Sequence, residues 1–450
     1  MAPDQLLSGW GRTAPTAACV ARPGPGDPLG GLFTRSGVIP RGLGRSYGDA
    51  AQCSGGTVVD MTARDDVYAE DLETGHVTVA AGASLDALMR RYVPQGWFVP
   101  VTPGTRQVTV GGAIAADVHG KNHHVDGSLG LHLTSLTLTT PNGTIDCGPE
   151  GPERDLFWAT VGGLGLTGII ERATLRLVPI ATSSLAVDTE RCRDIDELMA
   201  TMSESDAHFR YSVAWIDCLA TGASLGRSVL TRGNHASVDE LGPSGSRARR
   251  DPLAFRPAVR IGVPAAVPTG LLNRLTVRAF NEAWYRKAPR TARRSLESIT
   301  SFFHPLDGVR DWNRLYGRRG FLQYQLMVPF GAETDLRHLV ESVAASGCAS
   351  FLTVLKRFGP GNRAPLSFPA AGWTLALDLA VGNPGLGPLL DGLDQVVVSA
   401  GGRIYLAKDS RLQPELLAAM YPRLDEWRQV RDRVDPDHLM QSDLSRRLGL

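Results

Sequence analysis

Lysine is scarce in this chain. Of 47 basic residues only four are lysine, Lys121, Lys287, Lys356 and Lys408. In an arginine-biased sequence, lysine marks places where a compact ammonium of adjustable pKa is wanted, for anion binding or proton transfer. Lys287 also reads as a plain surface charge. Glycine is concentrated in three segments: Arg41-Gly42-Leu43-Gly44-Arg45-Ser46-Tyr47-Gly48-Asp49, Pro103-Gly104-Thr105 through Val108-Thr109-Val110-Gly111-Gly112-Ala113-Ile114-Ala115, and Val161 to Ile170 with Gly162, Gly163, Gly165 and Gly168. Such segments bring peptide N–H groups against a phosphate. None has the spacing of a P-loop or of the dinucleotide fingerprint, which counts against ATP and NAD. His119, His123 and His124 have no metal-ligand spacing. The six cysteines (Cys19, Cys53, Cys147, Cys192, Cys218, Cys348) form no CxxC pair, so neither a zinc site nor a disulfide framework is expected.

These groups need a scaffold. Gly56–Asp60 and His76–Ala80 read as strands, and residues 84–91 as a helix capped by Ser84. From Ser183 onward Asp194 opens a helix, while 321–329 and 372–380 alternate as strands, the former presenting Gln323 and Gln325 to a cavity. The C-terminus reads as helix, break at Asp435-Pro436, helix. The expectation is an α+β protein of two domains, residues 1–183 and 184–404, with 405–450 returning to the first; the second domain is built on an antiparallel sheet. Residues 233–270, rich in Pro, Gly, Ser and Arg, read as a mobile surface insertion or a flap admitting a bulky substrate.

A formal net charge of +1 excludes a general nucleic-acid binder. No stretch reaches the roughly 18 apolar residues of a membrane span. No secretory signal is recognisable, so a cytoplasmic protein, at most peripheral at a membrane, is expected.

Taken in order, the glycine segments resemble the FAD-binding domain of the vanillyl-alcohol oxidase and p-cresol methylhydroxylase superfamily. The likeness narrows through Ser8-Gly9-Trp10-Gly11-Arg12-Thr13-Ala14-Pro15, His119-Gly120-Lys121-Asn122-His123-His124, Phe157-Trp158-Ala159-Thr160, Ala364 to Pro369 and Tyr421-Pro422-Arg423. Over residues 8–450 the chain resembles the decaprenylphosphoryl-β-D-ribose 2-oxidase family. The resemblance implies a fold of the p-cresol methylhydroxylase type with a substrate-binding cap. It also implies FAD-dependent oxidation of a sugar secondary hydroxyl to a ketone, at C2 of a polyprenyl-phosphoryl ribose. A separate NAD-dependent keto-reductase would then complete epimerisation to arabinose for cell-wall arabinan. Oxidation of a soluble sugar, nucleoside or glycosylated metabolite is the alternative, and a binding protein without redox activity a third reading.

Residue by residue, the resemblance implies catalytic positions at Lys408, Tyr47 and His119. Lys408 would stabilise negative charge on the reduced flavin or assist loss of the hydroxyl proton. Substrate contacts fall on Lys121, Lys356, Gln323, Gln325, Phe358, Thr374 and Ala376, the two lysines holding phosphate or sugar oxygens. Cofactor contacts fall on Arg41 to Tyr47, on Gly104, Thr105, Val108, Thr109, Gly111, Gly112 and Ala115, and on Val118, His119, Gly165, Ile170 and Tyr405. Arg45-Ser46-Tyr47 stands where relatives with covalent flavin have His-Ser-Phe, so noncovalent FAD is implied. The chain departs from the family at Ala376, where the family has cysteine, and at Thr374, Val213, Phe303 and Leu164, which replace Asn, Ser, Tyr and Asn. These changes make the pocket less polar.

Overall fold

The computed structural model describes residues 4–243, 247–257, 261–264, 270, 273–350 and 352–450. Thr57–Asp60 and His76–Ala80 are strands, as their β-branched alternation predicts. Ser84 caps the helix Leu85–Tyr92, its Oγ accepting from the Ala87 N–H at 3.0 Å. Leu85, Leu88, Met89 and Tyr92 form the buried stripe of that helix. A four-stranded sheet runs Gln5–Leu7, Thr16–Ala21, Thr57–Asp60, Val38–Arg41, its last three strands parallel. Beside it in sequence lies a five-stranded antiparallel sheet: Val67–Asp71, His76–Ala80, Ile169–Arg176, Leu133–Thr140, Gly143–Cys147.

An eight-stranded antiparallel sheet dominates the rest. Its spatial order is Arg293–Ser298, Ser184–Cys192, Ser228–His235, Tyr211–Ile216, Thr353–Phe358, Gly372–Ala380, Phe321–Pro329, Arg403–Ile404. Each strand alternates between two environments. On one face Tyr324 donates to Asp394 of the helix Leu386–Ser399, and Trp373 to Glu333 of the helix Glu333–Ser346. Leu326, Leu375, Leu336, Leu339, Leu390 and Val397 join the large core on that side. The odd-numbered partner of this pattern, with Gln323 and Gln325, points the other way into a cavity.

The segment after the last strand packs against the first 60 residues. Val38 pairs with Met440, and Arg447 bridges Asp49 and Asp409. Within 233–270, Ser228–His235 is a strand of the large sheet and Ile261–Gly262 pairs with Val309–Arg310. The insertion or flap expected over 233–270 falls partly outside the described residues. No helix among the described residues is long and apolar enough to cross a membrane.

Candidate active site

The glycine segments and the open face of the large sheet meet around a cavity of about 990 Å3, at the upper end of the roughly 300–1,000 Å3 usual for ligand pockets. The loop 42–47 forms one end. Among the described residues, none of its six consecutive peptide N–H groups, Gly42 to Tyr47, donates to a protein acceptor, though all six residues line the cavity. Uncommitted N–H groups in such a run make an anion-binding concavity. The loop is braced from behind: the Arg41 guanidinium donates to Ser8 O at 2.7 Å and Ala51 O at 2.9 Å, and Arg45 lies 4.0 Å over the Trp10 ring. Gly42 abuts Thr109, where a Cβ would lie 2.1 Å from Oγ1. Thr109 in turn caps the short helix Val110–Ala115, accepting from Gly112 N at 3.2 Å. Gly104, Thr105, Val108, Gly111, Gly112, Ala115, Val118, Gly165 and Ile170 complete the lining around the loop. A diphosphate with an attached ring system fits these surroundings, and the residues expected to hold FAD line one cavity.

Next to Val118 a chain of hydrogen bonds centres on His119. Lys356 Nζ lies 3.0 Å from His119 Nδ1, and Gln325 Nε2 lies 3.0 Å from Nε2. As an ammonium Lys356 donates to Nδ1 and puts the imidazole proton on Nε2; as a neutral amine it accepts from Nδ1–H, and the Gln325 amide donates to Nε2. Gln325 Oε1 has no partner as drawn. With the proton on Nε2 the amide must turn its oxygen to that N–H, which gives up its bond to Thr374 Oγ1. Burial, then the Lys356 and Lys408 charges, hold the His119 pKa well below its ordinary value, so the ring is neutral.

Lys408 follows the last strand, Arg403–Ile404, in a short 3-10 turn. Its ammonium sits 5.5 Å from the Tyr47 ring and 5.8 Å from the Tyr405 ring, in reach of cation–π attraction. Tyr405 is fixed by its hydroxyl on Ala116 O at 2.7 Å. Burial lowers Lys408 to about 8, opposed by the charge of Asp378. Asp378 pairs in register with Gln323 and accepts from its Nε2 at 2.5 Å; burial raises it to about 7. Burial also lifts Tyr47, with Asp378 adding to the effect. Lys121 donates to Phe302 O and sits 4.1 Å over the Phe302 ring; burial brings it to about 8. Lys356 falls well below its usual value through burial and then the charges of Lys408 and Lys121. Among the described residues no carboxylate forms an ion pair with any of the three lysines; Asp378 acts on Lys408 and Glu297 on Lys121 through charge alone.

Two residues expected to touch substrate do not line the cavity. Thr374 lies on the correct face but is covered by the Gln325 amide, 2.9 Å from its hydroxyl. Phe358 lies behind His119 and His123, with ring centroids at 4.7 and 4.5 Å. Both support the His119 layer from behind. Ala376 does line the cavity. So does Lys287, at its exposed edge, although the sequence also allows a plain surface charge. His123 and His124 are occupied structurally, by Gly359 N and Phe209 O respectively. Sequence reading missed Asp378 and Asp307. Asp307 fixes the second glycine segment by accepting from Thr105 Oγ1 at 2.6 Å and Arg106 N at 2.9 Å.

Comparison with known proteins points the same way. Residues 34–148 match the FAD binding domain family, and residues 354–448 the D-arabinono-1,4-lactone oxidase family. The chain is 47% identical over 452 residues to the decaprenylphosphoryl-beta-D-ribose oxidase of Mycolicibacterium smegmatis, covering 99% of this chain and 97% of that protein. An uncharacterized protein of Streptomyces coelicolor is 44% identical over 82% of this chain and 100% of its own length. The L-gulono-1,4-lactone dehydrogenase of Mycobacterium tuberculosis is 25% identical over 90% of this chain and 89% of its own.

Proposed function

From its membership of the decaprenylphosphoryl-β-D-ribose oxidase family, to which this FAD-dependent oxidoreductase belongs, we propose that the chain oxidises the C2 hydroxyl of a polyprenyl-phosphoryl ribose to a ketone. One observation carries the substrate reading. Lys121, Lys356 and Lys408, none of them in an ion pair among the described residues, share one end of a cavity whose floor continues as Val354, Val213, Trp215 and Val229. A cationic, glutamine-bearing end followed by an apolar corridor suits a sugar phosphate on a long hydrocarbon tail.

We take residues 1–183 with 405–450 as the FAD-binding part and 184–404 as the substrate-binding part, in the manner of the p-cresol methylhydroxylase fold. The residues of loop 42–47 and helix Val110–Ala115 would hold FAD, which would supply a hydride acceptor for the carbinol carbon. The protein's own groups supply the rest. Lys408 at about 8 has a substantial neutral fraction near neutral pH and receives the hydroxyl proton, while Asp378 sets how readily it does so. The neutral His119, held by Lys356, and the amide of Gln325 fix the ribose. Lys121 and Lys356 meet the phosphate. No residue of the loop 42–47 is a histidine, so FAD is held noncovalently and acid precipitation should release all of it into the supernatant. A ketone so formed needs a separate NAD-dependent reductase to complete an epimerisation.

The test is anaerobic addition of a short-chain prenyl-phosphoryl ribose to the purified protein. Loss of the oxidised-flavin absorbance supports the reading. A spectrum unchanged by that compound but bleached by a nucleoside or free glycoside would replace the lipid substrate with a soluble one.

A further inference from the structure

The apolar corridor has an outer end, and what surrounds it is unlike the rest of the molecular surface. Crossing from Phe321–Pro329 to Ser184–Cys192, the floor passes five inter-strand steps, about 24 Å at the usual 4.7–4.9 Å spacing. It ends where Thr189, Thr231, Trp284 and Lys287 line the cavity. Trp284 is 42% exposed, so it stands at an opening. It belongs to the helix Arg274–Lys287, whose N-cap is Asn273. Only Val277 and Asn281 of that helix are buried. Its outer surface instead shows Leu275 at 79% and Phe280 at 44%, with the Phe280 and Trp284 rings stacked at 6.1 Å.

Charge is concentrated at the same place. Residues 274–294 contain seven cations, Arg274, Arg278, Arg286, Lys287, Arg290, Arg293 and Arg294, and one acid, Glu282. All seven cations are exposed. The whole chain has a net charge of only +1, so this short stretch holds a local excess that the remainder cancels. Two of the seven are engaged, Arg286 with Glu282 and Arg294 with Glu240. Among the described residues Arg274, Arg278, Arg290 and Arg293 meet no acid. Leu296, 47% exposed, lies on the following edge strand Arg293–Ser298, on the face opposite Arg293.

We propose that the helix Arg274–Lys287 and the following edge strand dock on an anionic lipid bilayer, with the corridor mouth opening at headgroup depth. Exposed Leu, Phe and Trp among unpaired arginines is the composition of an interfacial helix, in which apolar side chains enter the headgroup boundary and cations meet anionic lipid. A soluble polyanion would be matched by the arginines but would leave Leu275 and Phe280 facing water. The docking also solves a problem of delivery. The sugar phosphate can reach Lys356 and Lys121 while the distal hydrocarbon stays in the membrane, so the substrate need never cross water. This inference rests on the lipid-linked substrate proposed above, and its test separates the two.

The experiment is co-sedimentation of the intact flavoprotein with vesicles of phosphatidylcholine alone and of phosphatidylcholine with 30% phosphatidylglycerol, at about 0.1 M salt. Three proteins are compared: the natural chain, Arg278→Ala/Arg290→Ala/Arg293→Ala, and Leu275→Ser/Phe280→Ser. Each cation near an anionic surface is worth about a factor of five in partitioning. The triple variant should therefore lose about 100-fold in vesicle affinity. The apolar pair should also weaken binding by at least 10-fold. Both variants should keep the natural flavin spectrum, and the triple variant natural reduction by a water-soluble short-chain substrate, since none of the substituted residues lines the cavity and only Phe280 stacks on a lining residue, Trp284. Failure of the natural chain to sediment with anionic vesicles would overturn the proposal. So would binding lost on adding salt yet indifferent to Leu275→Ser/Phe280→Ser, which would identify a polyanion surface. Vesicle binding without flavin reduction by the short-chain compound would leave the docking intact and sink the substrate reading instead.

Discussion

Gly42→Ala is the sharpest probe of the loop 42–47 as a phosphate cradle. A Cβ at position 42 would lie 2.1 Å from Thr109 Oγ1 and 2.8 and 2.9 Å from its Cγ2 and Cβ. Carbon and oxygen at van der Waals contact need more than 3 Å, so loop 42–47 and helix Val110–Ala115 must part by about 1 Å. Thr109 cannot simply turn away, because its hydroxyl caps that helix through Gly112 N. Overpacking of this kind costs about 1–3 kcal/mol, which corresponds to roughly a 5- to 160-fold loss of affinity for whatever spans the two elements. Titrating FAD into the deflavinated protein and following quenching of flavin fluorescence reads the loss directly. Thr109→Ala removes two of the three colliding atoms. It should cost about 1 kcal/mol of stability through the lost cap, yet Gly42→Ala/Thr109→Ala should bind FAD more tightly than Gly42→Ala. Natural affinity in the single variant would refute the idea that these two elements grip one ligand. A double variant weaker than either single would refute the assigned collision.

Three further outcomes are expected. Lys408→Ala should retain FAD but slow anaerobic flavin reduction by about 10²- to 10⁴-fold, and near-natural stopped-flow rates would remove its proton-accepting role. Since the neutral amine of Lys408 increases as pH rises through about 8, kcat/KM should climb across that range. Asp378→Asn removes the charge that raises the Lys408 pKa, so the same limb should move to lower pH; an activity that falls through this range would assign the charged form instead. None of the six cysteines lines the cavity and position 376 carries only a methyl group, so thiol-trapping nitroaromatic compounds should leave the intact mass unchanged, and a mass increase would show another nucleophile at work.

How far the site could be read in advance depended on the kind of information each residue carries. Glycine loops, rare lysines and the alternation that aims Gln323 and Gln325 at one face are local properties, and the structure gathers them round one cavity. Asp378 was not legible, because its meaning comes from standing opposite Gln323 across two strands whose connection is not a hairpin. Register of that kind is set by the assembled sheet, and a one-residue slip would turn Asp378 to the helix side. Thr374 and Phe358 show the converse. Their alternation puts them on the cavity face, but the His119 loop covers that end of the sheet, and no strand pattern reveals what is laid over it. The basic, aromatic surface at 274–294 was similarly hidden: its residues are ordinary in sequence and acquire meaning from the opening they surround.

The contact of Arg447 with Asp49 and Asp409 has a consequence in time. Arg447 holds Asp49 through both Nε and Nη2 at 3.0 Å, and Asp409 at 2.9 Å, across a sequence separation of 398 residues from Asp49. Gly48, next to Asp49, lies against Asp409 so closely that a Cβ would fall 1.8 Å from its carbonyl oxygen. One guanidinium thus ties the end of the glycine loop 42–49 to the turn that carries Lys408. Contacts so remote along the chain form slowly, since the intervening loop must close before the contact repays its entropy. Cofactor capture should accordingly be among the last events of refolding, with flavin quenching lagging behind the appearance of sheet.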